Sequence, residues 1–383
     1  MRNERTDAVI DRIHIRAYEI PTTLNGEPVP ESDGTARWSS TGVLVVEVDA
    51  AGHRGLGYSY TSAKAASHVV EDILAPELLG MDPMNSKALF WAMAAALRNT
   101  GWAGIGASAL SALDIAVHDL VAKILDVPLV TLLGSGPGTV MVYGSGGFTS
   151  YTPTELATQL AGWAAQGIGA VKMKVGREPR LDPARVASAR NAVGDDVALF
   201  VDANGAYSQR QAAVLAHRFS DQSDVTWYEE PVTSDDHDGL LWLRDRVPPA
   251  MAIAAGEYGY RPKDFSDLLR GPAVDVLQID ATRAGGVTGF LMAAEQARAA
   301  HVPISTHTAP AIHAPLGAAA GAVHAEYFHD HVVIEDQLFK GVPRPHHGRI
   351  AAQTERAGHG LRLAQPDGPC LLHELVVTGP RGS

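Results

Sequence analysis

The rhythm of apolar and polar positions changes twice along the chain. Over residues 8–48 it has a short period. Ile10-Asp11-Arg12-Ile13-His14-Ile15-Arg16 roughly alternates, and Gly42-Val43-Leu44-Val45-Val46-Glu47-Val48 has the near-continuous apolar character of a buried strand. Residues 21–40 between them are polar and rich in Gly and Pro, which predicts a loop. Gly55-Leu56-Gly57-Tyr58-Ser59-Tyr60 reads as a third strand or a second loop. It lacks the third glycine and the following helix of a dinucleotide fingerprint. Over residues 63–124 the pattern turns helical and alanine-rich, so the first third reads as α+β.

After the connector Leu133-Gly134-Ser135-Gly136-Pro137-Gly138, short apolar runs alternate with helical stretches. Strands are predicted at 140–144, 170–175, 198–203, 227–231, 251–256, 276–280, 302–306 and 332–335. Eight strands with helices between them is the count of a (β/α)8 barrel. The expected division is an α/β chain with an α+β capping domain at 1–130, a barrel at 138–350, and a segment at 351–383 that returns to the cap.

Three of these runs finish on a carboxylate: Val201-Asp202, Tyr228-Glu229 and, after Ala254-Ala255-Gly256, Glu257. Parallel barrel strands bring their C-terminal ends to one mouth, where catalytic groups of this architecture sit. Three oxygens arriving there from adjacent strands suit a hard cation such as Mg²⁺. One strand earlier, Lys172 and Lys174 are two residues apart and therefore face the same side. Mutual repulsion and burial are expected to lower the pKa of one of them to that of a usable base. The sixth strand ends at Asp280 and the seventh runs into His307, an Asp–His pair that fixes the ring tautomer and raises its basicity.

Composition narrows the partners. The net charge of -12 argues against nucleic acid and an anionic membrane surface. Cys370 is the only cysteine, so there is no intramolecular disulfide and no thiolate metal cage. The N-terminal residues are charged with no apolar stretch behind them, so neither signal peptide nor membrane span is expected and cytoplasm is the expected compartment. No His-x-His pair stands at the end of the first barrel strand, which weighs against a binuclear hydrolase.

The combined set of Lys172-x-Lys174, Asp202-x-Asn204, Glu229-Glu230-Pro231, Gly256-Glu257, Asp280 with Gly285-Gly286, and His307 resembles the mandelate racemase subgroup of the enolase superfamily. The resemblance covers the whole barrel, and the front third looks like that family's cap. It implies Mg²⁺ on Asp202, Glu229 and Glu257, with Lys174 as a base on one substrate face and Lys172 tuning it. It implies His307 with Asp280 on the other face. It also implies a glutamate at the end of the eighth strand for the substrate carboxylate. Glu335 is the expected match and Glu326 the weaker one. Asn204, Arg283 and Tyr58 are further expected substrate contacts. Glu31, Asp33, Arg37, Tyr58 and Tyr60 in the capping loops 22–39 and 53–62 are placed to meet the hydroxyls of a polyol.

The expected activity is removal of the α-proton of a small-molecule carboxylate, then dehydration of an acid sugar to a 2-keto-3-deoxy acid. Racemisation or epimerisation is the alternative. A homo-oligomer is expected, with no nucleic-acid or membrane partner.

Overall fold

The computed structural model describes residues 8–136, 138–271 and 273–379. Residues 1–7, and Pro137 of the expected connector, lie outside the described residues.

An antiparallel sheet opens the chain. Its order is Leu371–Thr378, Ile10–Pro21, Ser40–Ala50 and His53–Tyr60, so the C-terminal strand pairs with the first. One face of this sheet is covered by helices, chiefly Ile105–Ile124. The Gly55-x-Gly57 pair is explained by that contact. A Cβ on either glycine would stand 2.0 Å from a carbonyl oxygen of Ala116 or Ala112, so only glycine lets the helix lie this close to the strand. Helix Ile105–Ile124 is long and apolar enough to cross a bilayer, but 89% of its apolar window is buried inside the protein. It is the core helix of the cap.

The second unit is a closed parallel barrel. Its strands are Thr139–Gly146, Ala170–Lys174, Ala198–Asp202, Val225–Glu229, Ala252–Ala255, Val276–Ile279, Ile304–Thr306 and His324–Phe328. They neighbour one another in that order, and the last pairs with the first. The (β/α)8 architecture with a separate N-terminal domain therefore holds as expected.

One strand was misassigned from the sequence. Residues 332–335 lie in a helix, His329–Leu338, and the eighth strand is His324–Phe328. Val332-Val333-Ile334 has the β-branched texture of a strand. Its burial, however, recurs at helical spacing: Asp330, Ile334 and Leu338 are buried on one face, while Asp336 and Gln337 are exposed. The helix before the eighth strand is Pro310–Ala320, ended by Gly321 in the left-handed region.

Candidate active site

Strand register assembles the carboxylates. Asp202 lies level with Lys174 on one neighbour and with Glu229 on the other. Glu257 follows two residues after the next strand. All three carboxylates are buried, and each offers an oxygen within 4.8 Å of the others. Asn204, Glu230, Thr308 and Ala309 adopt positive φ just beyond strand ends. Backbone held in that region by non-glycine residues is characteristic of functional loops.

The cationic groups sit among these acids. Lys172 Nζ is 2.5 Å from Glu229 Oε1, 2.8 Å from Glu326 Oε1 and 3.7 Å from Asp202 Oδ2. Lys174 Nζ donates to Asp202 Oδ2 at 2.5 Å. His307 places Nδ1 2.9 Å from Asp280 Oδ2 and Nε2 3.3 Å from Glu257 Oε2. Asp280 is fixed in turn by the Thr282 N–H and hydroxyl, both at 2.7 Å.

Charge balance sets the proton affinities. Burial alone would lower Lys172, but Glu229 and Glu326 outweigh it and hold its pKa well above the ordinary value. Lys174 is likewise raised, burial being overcome by Asp202. This corrects the expected lowering of a lysine: mutual repulsion and burial both act, but the carboxylates in direct contact are stronger. His307 goes up to about 10, with Glu257 and Asp280 overcoming its burial. Burial works against ionised Asp280, yet His307 holds it below the usual range. Glu229 moves the other way, up to about 8, through burial and then the nearby Asp202 charge. Glu257 goes down instead, well below the usual range, because His307 and Arg283 outweigh its burial. A buried, all-oxygen donor set of three carboxylates within 4.8 Å of one another fits a hard dication such as Mg²⁺.

Above this floor lies a cavity of about 330 Å³, lined on the barrel side by Lys174, Asn204, Glu257, Arg283, His307 and Glu326. Lys172, Asp202 and Glu229 lie beneath it. A larger cleft of about 600 Å³ next to it shares Asn204 and Tyr258 but reaches neither Lys174 nor His307. The capping loop 22–39 closes the mouth through Asp33, Ala36 and Trp38, which line the smaller cavity.

Two expected substrate contacts fall elsewhere. Glu335, on its helix, is fully buried. Its carboxylate accepts the Tyr58 hydroxyl at 2.5 Å and the Ala311 N–H at 3.2 Å. Tyr58 is thereby occupied away from the cavity and is itself fully buried. Glu326, in the middle of the eighth strand, takes the place of Glu335: it lines the cavity, touches Lys172 and accepts the Thr308 N–H at 2.8 Å. Glu326 is drawn down to about 2, with Lys172 and His307 overcoming its burial. Arg283 does reach the cavity, 3.4 Å from Glu257 Oε1. Thr308, which braces both Glu326 and Asp280, was not foreseen; its backbone strain is the only local mark.

The Glu335–Tyr58 contact between barrel and cap carries a stability prediction. Burial raises Glu335 to about 8 despite the Tyr58 bond. A carboxyl raised in the fold stabilises fully below its unfolded pKa, and that contribution is lost as pH rises through the folded value. Glu335→Gln should therefore flatten the decline in Tm between about pH 5 and 8. At pH 8 the variant should be the more stable by a few kcal/mol, on the order of three pKa units at ~1.4 kcal/mol each. Thermal melts across that range check it, and parallel profiles for the two proteins contradict it.

Comparison with known proteins agrees with this geometry. Residues 155–367 match the profile of the enolase C-terminal domain-like family. Residues 14–134 match that of the mandelate racemase / muconate lactonizing enzyme N-terminal domain. The chain is 30% identical to the L-talarate/galactarate dehydratase of Salmonella typhimurium, over 84% of this chain and 81% of that protein. It is 27% identical to an N-succinyl-L-Arg/Lys racemase of Bacillus cereus, over 63% of each.

Among solved structures, a mandelate racemase/muconate lactonizing enzyme-like protein of Rubrobacter xylanophilus superposes with a TM-score of 0.91 at 44% identity, covering 95% of this chain and 100% of that one. The L-talarate dehydratase of Polaromonas sp. JS666, solved with Mg and L-glucarate, gives 0.86 at 30% identity, covering 97% and 100%. The relatives are enzymes of three kinds: dehydratases, cycloisomerases, and racemases or epimerases. Two domain profiles in series, a closed barrel under a separate cap and a strand-end carboxylate triad lead to one conclusion: the chain belongs to the mandelate racemase / muconate lactonizing enzyme family of the enolase superfamily.

Proposed function

We propose that the protein is a Mg²⁺-dependent enzyme that removes the α-proton of a small carboxylate, and that its reaction is dehydration of an acid sugar to a 2-keto-3-deoxy acid. The observation that carries this reading is the placing of two bases around one triad. Lys174 touches Asp202 and His307 touches Glu257, and both line the same cavity.

Asp202, Glu229 and Glu257 would hold the cation. When bound, it supplies fixed positive charge to the two oxygens of the enediolate formed by proton loss. Lys174 takes the α-proton from one side. Asp202 is the contact that keeps the lysine protonated, and with that carboxylate turned to a cation Lys174 would be freed to act as a base. Lys172 lies below the cavity and positions Glu229 and Glu326. Glu326, rather than Glu335, lines the cavity on the substrate's side, its charge balanced by Lys172. His307, held by Asp280, delivers a proton to the departing β-hydroxyl. The cap loop covers the cavity and excludes water.

The polar cap wall of Ser40, Thr41 and Thr61 supports a polyol over an aryl substrate. Racemisation is the second reading, because two bases on one cavity also allow reprotonation on the opposite face. A panel of acid sugars given to the Mg²⁺-loaded enzyme should yield a keto acid from at least one of them. Chelation should stop turnover and Mg²⁺ restore it. Turnover unaffected by chelation, or undiminished in Glu257→Gln, would contradict the metal assignment.

A further inference from the structure

The cavity wall away from the triad carries two acids that the reaction does not use, Asp33 and Asp330, and a third, Glu31, is fully buried next to Asp330. The cap hairpin formed by Glu31–Ser32 and Arg37–Trp38 folds over the mouth. Its tip is pressed onto the barrel at Gly34, where a Cβ would meet the Ala203 and Val175 carbonyls at 2.4 and 2.7 Å. Arg177 clamps it from outside, donating to the Asp33 and Ala36 carbonyls.

Inside, Glu31 is fully buried and Asp330, in the first turn of the helix after the eighth strand, nearly so. Tyr151 donates to Glu31 Oε1 at 2.9 Å and Trp38 to Asp330 Oδ2 at 3.1 Å. The remaining oxygens, Glu31 Oε2 and Asp330 Oδ1, have no hydrogen-bond partner. The two carboxyls come within 4.8 Å of each other, with His329 beside them turning Nε2 to the Thr23 carbonyl. Burial, and then the Asp330 charge, raises Glu31 to about 10, and burial raises Asp330 as well, so of the two Glu31 holds a proton the more firmly. Asp330 and Asp33 both line the cavity.

The positive charge that lines the cavity gathers at the triad, although Lys174 and His329 are near enough to pull Asp330 toward its ionised form. Among the described lining residues the cationic groups are Lys174, Arg283 and His307, each in contact with a carboxylate of the triad. His331, stacked on Tyr60 at 3.3 Å, is kept neutral by burial and by the nearby His307 charge. A substrate carboxylate is therefore matched at the floor, and a second one at the far end of the same molecule would face acids.

We propose that the Glu31–Asp330 pair, together with Asp33, makes the wall away from the triad acidic and restricts the enzyme to sugar acids with a single carboxylate, excluding the matching diacids. This rests on the acid-sugar reading above. The test compares aldonates with aldarates of the same configuration in D₂O, using Mg²⁺-loaded enzyme. NMR reads α-proton exchange and a carbonyl assay reads keto acid.

Aldonates should be preferred by roughly 100-fold in kcat/KM, the scale of repulsion between like charges a few ångströms apart in a partly buried site. Glu31→Gln alone keeps the Asp330 charge and should keep the preference. Glu31→Gln with Asp330→Asn removes that charge at nearly constant shape and should cut the preference below about tenfold. Aldarates handled as well as aldonates would overturn the proposal, as would a preference unmoved in the double variant or no exchange with either series. Exchange confined to aldonates without keto acid would uphold it while refuting dehydration.

Discussion

Lys174→Ala should lower keto-acid formation by roughly 1,000-fold or more, within the range carried by a positioned general base. The lysine lines the cavity, and its ammonium lies 2.5 Å from Asp202 Oδ2. No other lysine lines that cavity among the described residues, and Lys172 is locked beneath it between Glu229 and Glu326. Solvent exchange of the α-proton from the Lys174 face should vanish with turnover. Metal affinity should hold or rise, because Asp202 loses a competing cation. Steady-state kinetics with calorimetric metal titration separates the two effects. Activity within tenfold of wild type, with metal binding intact, would remove Lys174 from the role of base.

His307→Asn should divide the reaction rather than abolish every part of it. Asparagine keeps a polar group near Asp280 but cannot deliver a proton to a leaving hydroxyl. Keto-acid formation should fall by roughly 100- to 10,000-fold, the span of general acid catalysis. Exchange driven by Lys174 should persist, since that side of the cavity is unaltered. Loss of both activities together, in a folded variant that still binds metal, would mean that His307 removes the α-proton itself.

The parts of this site that were legible in the sequence share one property. Asp202, Glu229, Glu257, Asp280 and His307 each follow a short apolar run, so placing the strand also placed the residue. Register then carried Lys174, Asp202 and Glu229 to one level. Glu335 failed by the same logic. It keeps the interval of the earlier strand ends, but the last βα unit is shorter, and Val332-Val333-Ile334 imitates a strand until its burial is known.

Tyr58 and Tyr60 share a face of one strand, as alternation requires. Only Tyr60 reaches the cavity, while Tyr58 lies deeper and meets Glu335. The lysine proton affinities were misjudged because repulsion within the pair is visible in sequence, whereas contact with Glu229 and Glu326 depends on strands far apart in the chain. Glu31, expected to meet substrate hydroxyls, is instead fully buried, and its pairing with Asp330 was beyond reach for a similar reason. They come from opposite ends of the chain and meet only when the cap closes on the barrel.

Deuterium incorporation during turnover of an acid sugar by the Mg²⁺-loaded wild type tests the chemistry most directly. Loss of the α-hydrogen with departure of the β-hydroxyl should give a 2-keto-3-deoxy acid that carries solvent deuterium at C3. Stereoisomers of a hydroxy acid interconverting with deuterium at C2, and no keto acid from any acid sugar, would contradict dehydration and leave epimerisation in its place.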